Sequence, residues 1–253
     1  MIFVFNKDRI KTYLVSMLTV AMLIIFSNIG NIKSIQTSSV PKYLPIYNVK
    51  TDEKKIAFTM NCAWNAADID SILETLKNNN VHITFFMVGD WVDKYPEAVK
   101  KINEAGHEIG SHSNTHPHVN KLSAEKNLEE INLSVAKIQK ITGQKANIYR
   151  APYGEYNNTV IKTAEENGYY TIQWNLDTLD YKGLTGEQMW NRLKNKLENG
   201  AIILSHNGTK HTADSLDMLI KNIKSKGYEI ITVSQLIYKD NYIINGNGTQ
   251  IHE

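Results

Sequence analysis

At 253 residues, with 42% apolar and 21% charged side chains, the chain has the makeup of one large α/β domain or two small ones, and global disorder is excluded. A net charge of only +2 argues against a dedicated nucleic-acid binder. One cysteine, Cys62, excludes an internal disulfide framework and any all-cysteine zinc site.

The chain opens with Lys7, Arg9 and Lys11, followed by an almost wholly apolar run over residues 13–26. A basic flank before an apolar run is the layout of a secretion signal. No Ala-x-Ala cleavage signature follows, and residues 13–30 are just long enough to cross a bilayer as a helix. Residues 1–31 therefore read as a signal peptide or an uncleaved signal-anchor, the anchor being favoured. The rest is expected outside the membrane, anchored or secreted. Residues 32–53 are polar, with Ser, Thr, Pro and Asn mixed in, and read as a linker.

From residue 54 to about 240 the pattern is regular. Apolar, β-rich runs at 55–60, 81–88, 107–111, 146–150, 169–174, 201–205 and 228–233 predict seven strands. Between them, apolar residues at helical spacing predict helices: Ile69, Ile72, Leu73 and Leu76; residues 96–102; Leu128, Ile131, Val135 and Ile138, ended by Gly143; Val160, Ile161 and Ala164; Met189, Trp190, Leu193 and Leu197, opened by a Thr185/Gln188 capping box; and Leu216, Leu219, Ile220 and Ile223, stopped by Gly227. Continuous apolar strands alternating with amphipathic helices predict a parallel sheet covered by helices. About seven strands in this length favour a barrel over an open doubly wound sheet. Residues 241–253 have no clear period and read as a tail that frays.

In such a fold, chemistry gathers at the carboxyl ends of the strands. Polar residues cluster there: Asn61 and Cys62 after the first, His112, His116 and His118 after the third, Arg150 after the fourth, Asp177 and Asp180 after the fifth, and His206 after the sixth. His112 and His116 are four apart, which on a helical turn would aim both imidazoles at one divalent metal; His118 would point elsewhere and reads as structural. Arg150-x-Pro152-x-Gly154 fixes a rigid turn with a charged residue at its start. Either Asp180 or Asp177 can pair with His206, leaving the other ring nitrogen to deliver a proton.

Together these stretches resemble the polysaccharide deacetylases, the NodB-homology domain of carbohydrate esterase family four, over roughly residues 54–238. SHSNTH matches the family's H-[ST]-x-x-H and RAPYG its R-x-P-[FY]-G; TFFMVGDWV, GHEIGSH, NLDTLDY and LSH support them in the right order. The resemblance implies a distorted (β/α) barrel and metal-dependent removal of N-acetyl groups from a glycan, peptidoglycan or chitin-like. It makes His112 and His116 ligands of a divalent metal, zinc. His206 would be the general acid, Asp180 its partner, and Arg150 would orient the base. Tyr153 would lend a backbone N–H to the oxyanion, and Leu204 and Tyr181 would line the acetyl pocket, Tyr181 replacing the usual Trp.

The first motif departs from the pattern. Where the family writes T-F-D-D-G, this chain writes Thr59-Met60-Asn61-Cys62-Ala63. Asn61 stands at the base position, and an amide cannot accept a proton from water at neutral pH. Cys62 stands at the third ligand position, where a thiolate would be a reasonable zinc ligand. Two functions follow: a deacetylase with an altered site, which the intact acid half favours, and a catalytically impaired relative that binds N-acetyl glycan, which Asn61 favours. The expected form is a monomeric, deacetylase-type enzyme.

Overall fold

The computed structural model describes residues 43–253, together with residue 11 and residues 16–19. Most of the segment read as a signal or anchor, and residues 32–42 of the proposed linker, lie outside the described residues. Among the described residues no helix is long and apolar enough to cross a membrane.

The elements are β1 (Asn48–Val49), β2 (Lys55–Cys62), α1 (Ile69–Asn78), β3 (Thr84–Met87), α2 (Gly89–Lys94), α3 (Pro96–Glu104), β4 (Glu108–Ser111), α4 (Ala124–Thr142), β5 (Ile148–Tyr149), α5 (Asn158–Glu166), β6 (Tyr170–Thr171), β7 (Leu176–Asp177), α6 (Gly186–Leu193), β8 (Ile202–His206), α7 (Thr212–Ser225), β9 (Glu229–Ile231), α8 (Val233–Leu236), β10 (Tyr242–Ile244) and β11 (Thr249–His252). Seven strands follow one another in the order β6-β5-β4-β3-β2-β8-β7, and β9 pairs with the start of β2. Every pairing in this sheet is parallel. β6 and β7, neighbours in sequence, sit at opposite ends of this path, so the curled sheet does not close.

Residues 46–49 run along that opening. Ile46 donates its N–H to Thr171 (2.8 Å) and accepts from Gln173 (2.7 Å), and Val49 donates to Gly200 (2.9 Å). Ile46 and Val49 are both buried. Residues 43–53, read from their polar composition as linker, are thus part of the domain. The tail reading changes in the same way. β10 and β11 pair antiparallel and β11 pairs with β1, so residues 241–253 hold a small sheet. Their apolar residues are too sparse to show a period.

β2 has core on one side and polar residues on the other. Phe58, Met60 and Cys62 pack with Ile69, Ile72, Val88, Leu216 and Leu219, burying the apolar faces of α1 and α7. Thr59 and Asn61, one residue out of step, face Arg150. This period-2 alternation decides what reaches the site. The helix ends follow local chemistry: Ser123 caps α4, Gly143 ends it in the left-handed conformation, and Thr185 and Gln188 form the capping box of α6.

Candidate active site

The strand register assembles the site at the carboxyl ends. Asn61 on β2 lies directly beside His206 on β8 and Phe86 on β3. His112 follows β4, and Arg150 follows β5. They surround a groove of about 480 Å³, lined by Asn61, Ala63, Trp64, His112, His116, Tyr153, Gly154, Trp174, Tyr181, Leu204 and His206.

Arg150 is fully buried. It donates to Thr59 Oγ1 (2.8 Å), Asn61 Oδ1 (3.0 Å), the Gln173 carbonyl (3.1 Å) and the Ile172 carbonyl (3.4 Å), and its guanidinium lies 4.1 Å from the centre of the Phe86 ring. All four acceptors are neutral. Burial pulls the guanidinium down to about 9, so it remains a cation at neutral pH.

His112 and His116 converge, with ring centres 4.9 Å apart. They do so without the helical turn expected from their spacing. Residues 112–116 form a loop in which Ser113 (φ 64°) and His116 (φ 58°) adopt the left-handed conformation. Burial, and then His116, hold His112 well below the usual imidazole range. Its Nδ1 lies 2.7 Å from the Arg150 carbonyl, which can only accept, so Nδ1 carries the proton and Nε2 the lone pair. Burial lowers His116 as well.

Across the groove, Asp180 is buried and accepts four hydrogen bonds. They come from the His206 backbone N–H (2.6 Å), His206 Nδ1 (2.9 Å), Thr212 Oγ1 (2.7 Å) and the Tyr181 N–H (2.9 Å). Asp177 makes no such pair; it accepts from the Leu179 N–H (2.8 Å). Trp64 and Tyr181 flank the His206 ring at 5.3 Å each, Trp64 tilted and Tyr181 edge-on. Tyr153 sits at φ 59° in the RAPYG turn, its ring edge-on to His116 and stacked on His118. His118 bonds Glu155 Oε1 at 2.7 Å and supports that stack. Leu204 and Tyr181 also line the groove.

Cys62 is the exception. It follows Asn61 on a regular strand, so its side chain leaves the opposite face and is fully buried in the core. Burial pushes the thiol well above its ordinary value, with Asp68 adding to the shift. It does not line the groove. Trp64, Trp174 and Thr212 are contributors that motif spacing did not single out.

A family model described as polysaccharide deacetylase matches residues 48–172. The peptidoglycan-N-acetylmuramic acid deacetylase PdaA of Bacillus subtilis is 30% identical over 80% of this chain and 78% of its own length. The chain belongs to the polysaccharide deacetylase family. The uncharacterized protein YlxY of Bacillus subtilis is 36% identical over 76% of this chain, which spans 60% of YlxY's length. Among solved structures, BA3943 of Bacillus anthracis, a CE4 family pseudoenzyme, superposes with a TM-score of 0.74 at 31% identity, covering 83% of this chain and 73% of that one. A mutant of BA3943 with restored enzymatic activity matches with the same TM-score at 33% identity, covering 77% and 71%.

Deacetylases of this family are metal-dependent in general. The donors here do not fit a three-ligand site. Cys62 faces the core as a protonated thiol, and among the described residues no three His, Cys, Asp or Glu side chains converge.

Proposed function

We propose that this chain engages N-acetylated wall glycan in the family's groove as a deacetylase-type protein whose acid half is intact and whose base half is lost, so that hydrolysis is impaired. The observation that carries this reading is the contrast between the two sides of the groove. On one side Asp180 fixes His206 through Nδ1, leaving Nε2 to protonate a leaving amine. On the other, the position beside Arg150 is held by an amide, Asn61. A residue with no role in proton transfer has no need of an imidazole held by a buried, fourfold-bonded carboxylate. An active deacetylase needs a base that Asn61 cannot be.

Substrate recognition follows from the lining. Trp64, Tyr153 and Tyr181 are all about half exposed and offer flat faces to sugar rings. Leu204, a buried apolar residue of the groove lining, suits an acetyl methyl. Action on the extracytoplasmic face, as a monomer held by residues 13–30, completes the proposal. Any zinc would rest on His112 and His116, without the third protein ligand.

Binding to N-acetylglucosamine oligomers and to the same oligomers after chemical de-N-acetylation tests the reading. Purified peptidoglycan serves as a third ligand. Clear preference for the acetylated forms is expected. Equal affinity for acetylated and de-acetylated oligomers contradicts it.

A further inference from the structure

The Arg150 guanidinium only donates hydrogen bonds, so the Asn61 atom 3.0 Å from its Nη1 must be the carbonyl oxygen. This fixes the orientation of the amide and points its NH2 at His112 Nε2, 3.3 Å away. His112 is equally constrained. Its Nδ1 faces the Arg150 carbonyl at 2.7 Å, which can only accept, and its Nε2 faces the Asn61 NH2, which can only donate, so Nδ1 carries the proton and Nε2 accepts the Asn61 N–H. The bonds form a closed ring, from the Arg150 guanidinium through Asn61 and His112 back to Arg150's own carbonyl. Arg150, Asn61 and His112 are all buried. Flipping the Asn61 amide would set NH2 against a guanidinium and a carbonyl oxygen against the imidazole lone pair, both out of water. One arrangement is therefore held.

The lone pair occupied by this ring is the one a metal at the histidine pair would need. We infer that Asn61 is a neutral plug of the metal site: its amide takes the place of the cation at His112 Nε2 and, pinned by Arg150, keeps divalent metal out. A metal approaching Nε2 must displace a bonded donor and then face the positive end of that same NH2. The loss of catalysis at position 61 is then double, since one residue withholds the base and closes the ligand. This inference does not rest on the glycan reading, because it concerns zinc alone.

The test is titration of the full chain with zinc, followed by calorimetry, and with Co²⁺, followed by visible absorption. Deleting a polar side chain beside a metal site usually weakens binding; here the opposite sign is expected. Asn61→Ala should bind zinc at least about tenfold more tightly than the wild type, as loss of one competing hydrogen bond implies. A further His112→Ala should remove the gain. Asn61→Asp keeps an oxygen for Arg150 and serves if Asn61→Ala does not fold; it too should bind more tightly. If neither folded variant exceeds the wild type, or if the gain survives His112→Ala, the plug is wrong.

Discussion

Replacing Asp180 by Asn changes one atom at the most densely bonded group of the site. Oδ2 accepts from the His206 N–H and Thr212 Oγ1, and Oδ1 from the Tyr181 N–H and His206 Nδ1. Thr212 can turn its hydroxyl to accept, but a backbone N–H cannot. An amide in either orientation therefore opposes its NH2 to the backbone N–H of His206 or of Tyr181. Hydrogen bonds to a charged group contribute about 1.5–3 kcal/mol each, against about 1 kcal/mol for neutral ones, and an opposed buried donor adds its own desolvation. Asp180→Asn should destabilise the protein by about 2–4 kcal/mol. For a domain of this size that lowers Tm by roughly 5–12 °C. Asp177→Asn is the control. An amide there can still accept from the Leu179 N–H, and the second contact, to the Tyr181 hydroxyl, is 3.5 Å long. It should cost under about 1 kcal/mol. Urea denaturation of both variants, with His206 followed by NMR, reads the difference. Equal stability of the two would refute the assignment of Asp180 as the anchor of His206.

Three further outcomes are expected. Burial lowers His107 to about 4, below its unfolded value near 6.5, so the folded state binds fewer protons between these limits. The loss of stability from this difference, about 3 kcal/mol in full, is absent above pH 6.5 and builds up as pH falls toward 4, and His107→Gln should flatten that part of the stability–pH curve. Ile46→Ala should cost about 2–4 kcal/mol in urea denaturation, because Ile46 is buried against β6; a loss below about 0.5 kcal/mol would return residues 43–53 to a tether. Trp64→Ala should weaken binding of N-acetylglucosamine oligomers by about tenfold with little change in Tm, since the indole is half exposed and packs on His206.

Much of the fold was legible because its strands are continuous apolar runs and its helices carry their own punctuation, such as Gly143 and the Thr185/Gln188 box. β7 was not, being two residues long, Leu176–Asp177, with no run to display. Ile46 and Val49 were missed because two buried residues among Pro, Tyr and Asn make no period. At the site, spacing pointed to His112 and His116, but a loop with two left-handed residues brings them together, where a helix was expected. Cys62 was misplaced for a reason the sequence already contained. Adjacent residues of a regular strand face opposite ways, so Asn61 and Cys62 cannot both reach the groove unless the strand bends. Asp180 and Asp177 could not be separated by spacing; the contacts of His206 and Thr212 separate them. Spacing assigns no role to Trp64 and Trp174, because a lone tryptophan at a strand end carries no motif; both line the groove.

The central claim is that position 61 withholds the base opposite an intact acid half. Acetate release from N-acetylglucosamine oligomers, measured side by side for the wild type and Asn61→Asp at saturating zinc, tests it most directly. A positioned base contributes about 10²–10⁴-fold, so the variant should release acetate at least about a hundredfold faster, and His206→Ala should abolish the gain. A wild type that deacetylates as fast as Asn61→Asp would contradict the account.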